Sequence, residues 1–324
     1  TQPLPLAGRI ATYINQRIIN QQLYKQAQMF KPDLIFFIKA ETITAKTIAT
    51  LKQTTHAQII NFYPDNPFTF WNGNSNQEVL RALPLYDCFM SWSQALIPAL
   101  QTAGCRHVCY FPFAYDHTLF EQPITLSPAE QEKYRSDVCF IGTWEPEREA
   151  WLGHIITTLP NISLAIWGNH WLKNCSNPSL RTRVRGNAIY GQDMIKAFRA
   201  SKIVLNFIRK QNMFSHNMRT MEVPASKAFL LTQRTHEQAN LLFKEDTSIA
   251  CFENCDELVT KIRFYLNHEI ERLRIAHNGH QTVQAFTLQQ QLQHYFNTCP
   301  QMHKLGKDSY EYREKAQNRD SFNP

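Results

Sequence analysis

Arg219 and Glu222 stand three residues apart in the stretch Asn217 to Thr232, Asn-Met-Arg-Thr-Met-Glu-Val-Pro-Ala-Ser-Lys-Ala-Phe-Leu-Leu-Thr. On a helix that spacing puts both on one face. A guanidinium can grip a phosphate through a fork of N–H groups, and a carboxylate can accept two hydroxyl hydrogen bonds. A site with both suits a sugar nucleotide. The plain alternative is an i,i+3 surface ion pair, worth about 0.2–0.5 kcal/mol. Nearby, Asn206 lies near the end of an apolar run, where it either bonds a diphosphate or ties down the loop that follows. His216 is either a sugar ligand or a solvated loop residue. Trp167 and Trp171 flank Gly168 and either stack on a base or sugar, or fill a core.

The elements that must position these residues come next. The run Ile203 to Ile208 reads as a strand, Arg209 to His216 as a polar loop, the Arg219–Glu222 stretch as a short helix, and Phe229-Leu-Leu231 as a buried strand. That order is one turn of a parallel α/β sheet, and in such sheets ligands bind outside the carboxyl ends of the strands. The same alternation runs along the chain. A helix is expected over 8–30 and a buried strand over 34–38. A helix over about 43–53 and strands at 58–62, 87–91 and 107–111 follow, with a helix near 93–102 between the last two. Residues 112–136 read as a connector, with Pro112, Pro123 and Pro128. Strands are expected again at 137–141, 162–167, 187–190 and 248–252, and helices at 147–158, 192–200 and near 236–243. Asn254 to Asn267 reads as a helix capped by Asn254, with Glu257 completing a capping box, and a further helical stretch covers about 269–296. Residues 300–324 read as a polar tail.

The expected fold class is therefore α/β, with two Rossmann-like doubly wound parallel-sheet domains around an interdomain cleft. The domains are expected at 1–125 and 126–297, with 298–324 as the tail. At 324 residues the chain is long enough for two domains. Its 43% hydrophobic content supports large cores and excludes a disordered chain. The formal net charge of +7 is spread out, and its densest basic spot is Arg181-Thr-Arg183-Val-Arg185. A mild excess of this kind fits an anionic small ligand and argues against nucleic acid. Eight cysteines occur, none as Cys-x-x-Cys, and most within apolar runs. That points to a reducing, cytoplasmic setting without a structural metal. No apolar run reaches transmembrane length, and none has the pattern of a signal peptide.

Residues 136–296 resemble the C-terminal domain of the CgeB-like, spore-maturation-type glycosyltransferases, a bacterial-like, group-1-like branch with the GT-B fold. The pieces that carry the resemblance are Asp137-Val-Cys-Phe-Ile-Gly-Thr143 with Arg148; Ile166-Trp-Gly168 with Trp171; Ser201-Lys-Ile-Val-Leu-Asn206; and Asn217-x-Arg219-Thr-x-Glu222-x-Pro-Ala225 with Phe229-Leu-Leu-Thr232. Phe252 through Asp256-Glu-Leu-Val259, Lys261-Ile262, Tyr265-Leu266 and Ile275-Ala276 complete it. The first half matches more loosely, through Pro32-Asp33-Leu-Ile, the Asp65-Asn66-Pro67 loop and Tyr86-Asp87.

The resemblance implies transfer of a sugar from a nucleotide-sugar donor, bound mainly by the second domain, to an acceptor it does not identify. Glu222 stands where the superfamily's ribose-holding Glu stands. Gly142 aligns with the Gly of the diphosphate loop, Thr143 occupies the position of the usual Arg, and Arg148 falls where a Lys would be. Arg148 and Arg219, with Asn217, Asn206 and Gly168 alongside, would then neutralise the leaving diphosphate without a metal or other cofactor. There are departures. Phe214 occupies the acidic position eight residues before Glu222, where His216 or Asn217 would have to substitute, and Lys227 replaces a Gly after the short helix. If the reaction inverts configuration, Asp65, in the loop after the second strand, is the candidate base, against a plain Asx-turn role. A same-fold sugar-nucleotide epimerase or phosphorylase, and an inactive glycan- or partner-binding relative, are the alternatives.

Overall fold

The structure is a computed structural model and describes residues 6–69, 77–212 and 214–298. The chain divides into two compact units, one holding the residues up to Pro112 and again from Gln291, the other Phe113–Gln290. The expected tail over 300–324 lies outside the described residues.

In the first unit, strands β1 (Leu34–Ile38), β2 (Gln58–Tyr63), β3 (Cys88–Ser91) and β4 (Val108–Tyr110) form a parallel sheet in consecutive order. One face presents Ile60, Cys88 and Met90, two apart along each strand as the pleat requires, and packs on Phe111 and on Tyr295 of the helix Leu288–Thr298. The helix Ala45–Thr55 buries Ile48 and Leu51; Thr44 caps it by accepting from the Thr47 N–H. β1 was expected to be buried on both faces, but consecutive order places it at the sheet edge. Phe36 is 39% exposed and Ile38 67%. Its apolar run reads like a central strand because composition does not report strand order.

The second unit holds six parallel strands: β5 (Ser136–Ile141), β6 (Leu164–Trp167), β7 (Val184–Gly186), β8 (Ser201–Asn206), β9 (Leu230–Gln233) and β10 (Ala250–Phe252). Their order is β10-β9-β8-β5-β6-β7, so the winding reverses between β5 and β8, which pair from Ser136↔Ser201 to Phe140↔Leu205. The loops leaving these two strands diverge there and open the crevice where doubly wound sheets bind ligands. Val138, Phe140, Ile203, Leu205 and Leu231 form the core with Leu152 and Ile155 of the helix Pro146–Thr158 and Leu258 and Ile262 of the helix Cys255–Asn267.

Several elements depart from expectation. The strand expected at 187–190 lies earlier, at Val184–Gly186, and Tyr190 is 71% exposed. A three-residue edge strand with Arg185 at its centre and Arg183 just before it carries no apolar signature. The connector holds two short helices, His117–Phe120 and Pro128–Tyr134, the second opened by a Ser127–Glu130 capping box. The segment near 236–243 is a π-helix, Glu237–Leu242. The long stretch 269–296 breaks at Gln284–Phe286 into Glu269–Val283 and Leu288–Thr298. Asn254 does cap its helix, accepting from the Glu257 N–H, but the Glu257 carboxylate reaches back to the Glu253 N–H and to Arg234 rather than closing the box on Asn254. Among the described residues there is no disulfide, no grouping of side chains able to hold a metal ion, and no helix long and apolar enough to cross a membrane.

Candidate functional site

Two loops cross at the carboxyl ends of β5 and β6. The Gly142 N–H donates to the Trp167 carbonyl at 2.9 Å, the Trp144 N–H to the Asn169 carbonyl at 2.9 Å, and the Trp171 indole N–H to the Gly142 carbonyl at 2.8 Å. Gly168 sits so close to this crossing that a Cβ there would lie 1.9 Å from the Gly142 oxygen. Its glycine is thus explained by close backbone approach. Trp167 and Trp171 are buried, Trp171 edge-on to Phe140, so of the two roles left open by sequence both take the core one.

The β5 loop leads directly into the helix Pro146–Thr158, whose first turn carries Arg148. Its side chain is only 12% exposed. One terminal N–H donates to the Thr143 carbonyl at 2.7 Å, Nε lies 3.4 Å from Glu145, and the guanidinium rests over the Phe140 ring. Burial lowers its pKa; Glu145 opposes this, and the positive charges of Arg209 and Arg219 lower it further. The next residue, Glu149, is a buried anchor. It accepts from the Trp144 indole at 2.6 Å and, on its other oxygen, from the Ser176 N–H and hydroxyl and the Asn177 N–H. Burial alone would raise this carboxyl, but these donors hold it down, at about 2. The loop bearing Thr143 and Trp144 is thereby fixed from below.

On the other side of the crevice, Asn206 ends β8 and is 2% exposed. Its carboxamide pairs reciprocally with that of Asn217, at 3.0 and 2.9 Å, and also donates to the Thr232 hydroxyl at 3.0 Å. Thr232 and Thr220 both donate to the fully buried Gln238. Asn206 and Asn217 thus use their side chains to fasten the loop and the start of the helix Met218–Ala225. That helix carries Arg219 and Glu222, which are paired as the i,i+3 reading expected. The pair is not a surface one, since the side chains are 21% and 13% exposed. It engages Glu222 Oε2 and one Arg219 N–H, leaving Glu222 Oε1 free among the described residues, while the buried Arg219 Nε has no protein partner. The guanidinium is backed by the Phe198 ring. The helix ends at Lys227, whose φ of +67° is the left-handed turn a Gly would take more easily, at a cost of about 1 kcal/mol.

His216 corrects both expectations for it. It is neither solvated nor open to a ligand: its exposure is 0%. Nε2 accepts from the Phe113 N–H at 3.0 Å, and Nδ1 faces Glu237 at 3.2 Å and the Ser215 hydroxyl at 3.1 Å. Burial pushes the imidazole below the usual histidine range, against the pull of Glu237. The unfolded chain therefore takes up a proton at a higher pH than the folded one. Stability is at its full value above the ordinary histidine pKa of about 6.5 and falls as pH drops below it, by up to 1.36 kcal/mol per unit per proton. Melting temperature measured from pH 8 to 5 is expected to decline below about 6.5, and to decline less steeply in His216→Gln. Parallel curves would show that His216 does not titrate on unfolding.

Asp65 lies in the first unit, just beyond β2, with its carboxylate 2.7 Å from Lys39 Nζ. Lys39 and Ala40 both take left-handed backbone angles. Residues not anticipated as part of the site are Glu145, Glu149, Arg209 and Gln238. Arg209 stands three residues past the end of β8, at the start of the polar loop, a place where the position alone was a signal. Its Nε lies 2.9 Å from Glu145, which joins the two sides of the crevice.

Residues 148–297 match the family model described as glycosyl transferase-like. This glycosyl transferase-like stretch contains Arg148, Arg209, Arg219 and Glu222. No curated protein matches the chain in sequence. Among solved structures, the chain is similar to HepE of Anabaena in complex with UDP-glucose, at 15% identity and a TM-score of 0.66, covering 86% of this chain and 81% of that one. It is similar to a glycosyltransferase from Rickettsia africae, at 13% identity and a TM-score of 0.66, covering 88% and 80%. Sucrose-phosphate synthase from Thermosynechococcus elongatus follows at 13% and 0.63, covering 91% and 78%. With two parallel α/β sheets, the fold is that of the GT-B glycosyltransferases.

Proposed function

We propose that the protein is a glycosyltransferase that takes a sugar from a nucleotide-sugar donor held by the second unit. The observation that carries this reading is the half-buried Arg219–Glu222 pair at the crevice, each partner with bonding capacity to spare. In this reading Glu222 Oε1 accepts from ribose hydroxyls, and Arg219 and Arg148 face the diphosphate. The HepE complex with UDP-glucose supports a donor of this class. Positive side chains already concentrated at one point stabilise charge growing on a leaving diphosphate without reorganising, so the reading calls for no metal. Gly142, Thr143 and Gly168 shape the loop crossing, and Asn206 and Asn217 hold the helix that presents the pair. Asp65 is the candidate base for an inverting course and would have to exchange its Lys39 contact for the acceptor hydroxyl. His216 supports the fold. The ordered motifs favour the CgeB-like branch, and cysteines set in apolar runs favour a cytoplasmic setting.

Calorimetry with UDP, GDP, dTDP, ADP and CMP, on wild type and Glu222→Gln, tests the reading. One nucleotide is expected to bind in the micromolar range and to raise the melting point. Glu222→Gln is expected to weaken it by about 10- to 100-fold, the worth of a charge-assisted hydrogen bond. Equal binding to the variant would remove Glu222 from the site. No binding by any nucleotide, with no transfer, would favour the inactive relative.

A further inference from the structure

At the junction of the two crevice walls one carboxylate faces two guanidiniums. Glu145 lies 2.9 Å from Arg209 Nε through one oxygen and 3.4 Å from Arg148 Nε through the other. Glu145 precedes the helix Pro146–Thr158, on the loop from β5, and Arg209 stands on the loop from β8, so the contact spans the mouth of the switch point. Arg219 is close enough for its charge to act on Arg148, and its own Nε is buried without a protein partner. Three cations therefore converge on two carboxylates, Glu145 and Glu222. Thr143, at the position where the resemblance leads one to expect a second clamp cation, contributes only its carbonyl, to Arg148. A bridging carboxylate between two guanidiniums has the charge and bidentate geometry of a phosphate oxygen pair.

We propose that Arg209 is the second cation of the diphosphate clamp, supplied from the β8 loop in place of the residue missing at Thr143, and that the Glu145 carboxylate occupies this clamp until a diphosphate displaces it. This rests on the donor-site reading above and adds to it a specificity residue and an internal competitor. Binding exchanges one anion for another: Glu145 swings out to water, and Arg148 and Arg209 turn their N–H groups to the phosphates. Glu145 is 31% exposed and Arg209 47%, so both have room to move, whereas Arg148 is fixed by the Thr143 carbonyl and the Phe140 ring.

The test measures dissociation constants for inorganic pyrophosphate, UDP, GDP and ADP on wild type, Glu145→Gln, Arg209→Gln, Arg209→Lys and the double variant Glu145→Gln/Arg209→Gln. Melting curves without ligand check folding. Arg209→Gln is expected to weaken pyrophosphate and the best-bound nucleoside diphosphate about tenfold or more, with Arg209→Lys between it and wild type. Glu145→Gln is expected to tighten both, about three- to tenfold, because the competing charge is gone, and this gain should be much smaller in the double variant. If a diphosphate binds wild type but Arg209→Gln binds it equally well, the Arg209 assignment falls and the donor site stands. If Glu145→Gln binds no better than wild type, Glu145 is not a competitor. If no diphosphate binds any form, the donor-site reading fails and takes this one with it.

Discussion

Gly168→Ala is expected to lower stability by about 4 kcal/mol, through overpacking and hydrogen bonds lost where two backbones cross. The added Cβ would stand 1.9 Å from the Gly142 oxygen and 2.7 Å from its carbonyl carbon, neither of which is the movable end of a side chain. Relief requires the loops after β5 and β6 to part. That strains the bonds from the Gly142 and Trp144 N–H groups and from the Trp171 indole, worth about 1 kcal/mol each. At roughly 2–4 °C per kcal/mol for a unit of this size, the melting temperature should fall by about 8–16 °C. Nucleoside diphosphate binding should weaken more than tenfold as well, since the displaced loop leads into Arg148. A variant melting within about 1 °C of wild type would mean that the loops separate at little cost and that this crossing does not fix the site.

Gln238→Leu is expected to cost about 3–5 kcal/mol, although leucine is close to glutamine in volume and leaves little cavity. Gln238 Oε1 receives the Thr220 hydroxyl at 2.7 Å and the Thr232 hydroxyl at 3.3 Å, and its Nε2 donates to the Gln233 carbonyl at 2.9 Å and the Thr235 hydroxyl at 3.3 Å. Removing it leaves buried polar groups without partners, each costing about 1–3 kcal/mol in part. Thr220 sits in the first turn of the helix that presents Arg219 and Glu222, and Thr232 receives Asn206, so the loss reaches the site. Urea titration should show a lower midpoint with an unchanged slope, and nucleotide affinity should drop with it. A midpoint equal to or above that of wild type would show that the polar network contributes nothing net to stability and serves only to select one packing.

How much of this was readable in the residues differs from element to element. The strands expected at 137–141, 162–167, 203–208 and 229–231 were legible because strands of a parallel sheet covered on both faces are continuously apolar, although β8 stops at Asn206 and β9 runs on to Gln233. Punctuation by Gly142 and Gly168 marked where they end. The helix with Arg219 and Glu222, and their pairing, followed from spacing alone. β7 escaped notice because an edge strand with alternate arginines looks like a loop, and β1 was misplaced for the opposite reason. The break after Val283 has neither Gly nor Pro to announce it. Long-range partners were the hardest. His216 is held by Phe113, 103 residues away, and Glu145 meets Arg209 across 64 residues, so neither contact leaves a trace in local sequence. Gln238 lies in a π-helical turn, a geometry that a 3.6-residue pattern does not register.

The helix Leu288–Thr298 closes a core begun more than 200 residues earlier, for Tyr295 packs on Ile60, Cys88 and Met90. During synthesis, the first four strands emerge well before the segment that covers this face of their sheet. The whole of Phe113–Gln290 is made in between, so the unit bearing the candidate donor site is available to fold before the unit that precedes it is complete. The first sheet must wait with one apolar face open, and its final closure carries the loop-closure entropy of contacts more than 200 residues apart. Maturation of this chain on the ribosome thus runs against the order of its sequence, with the helix Leu288–Thr298 acting as the latch on the first unit.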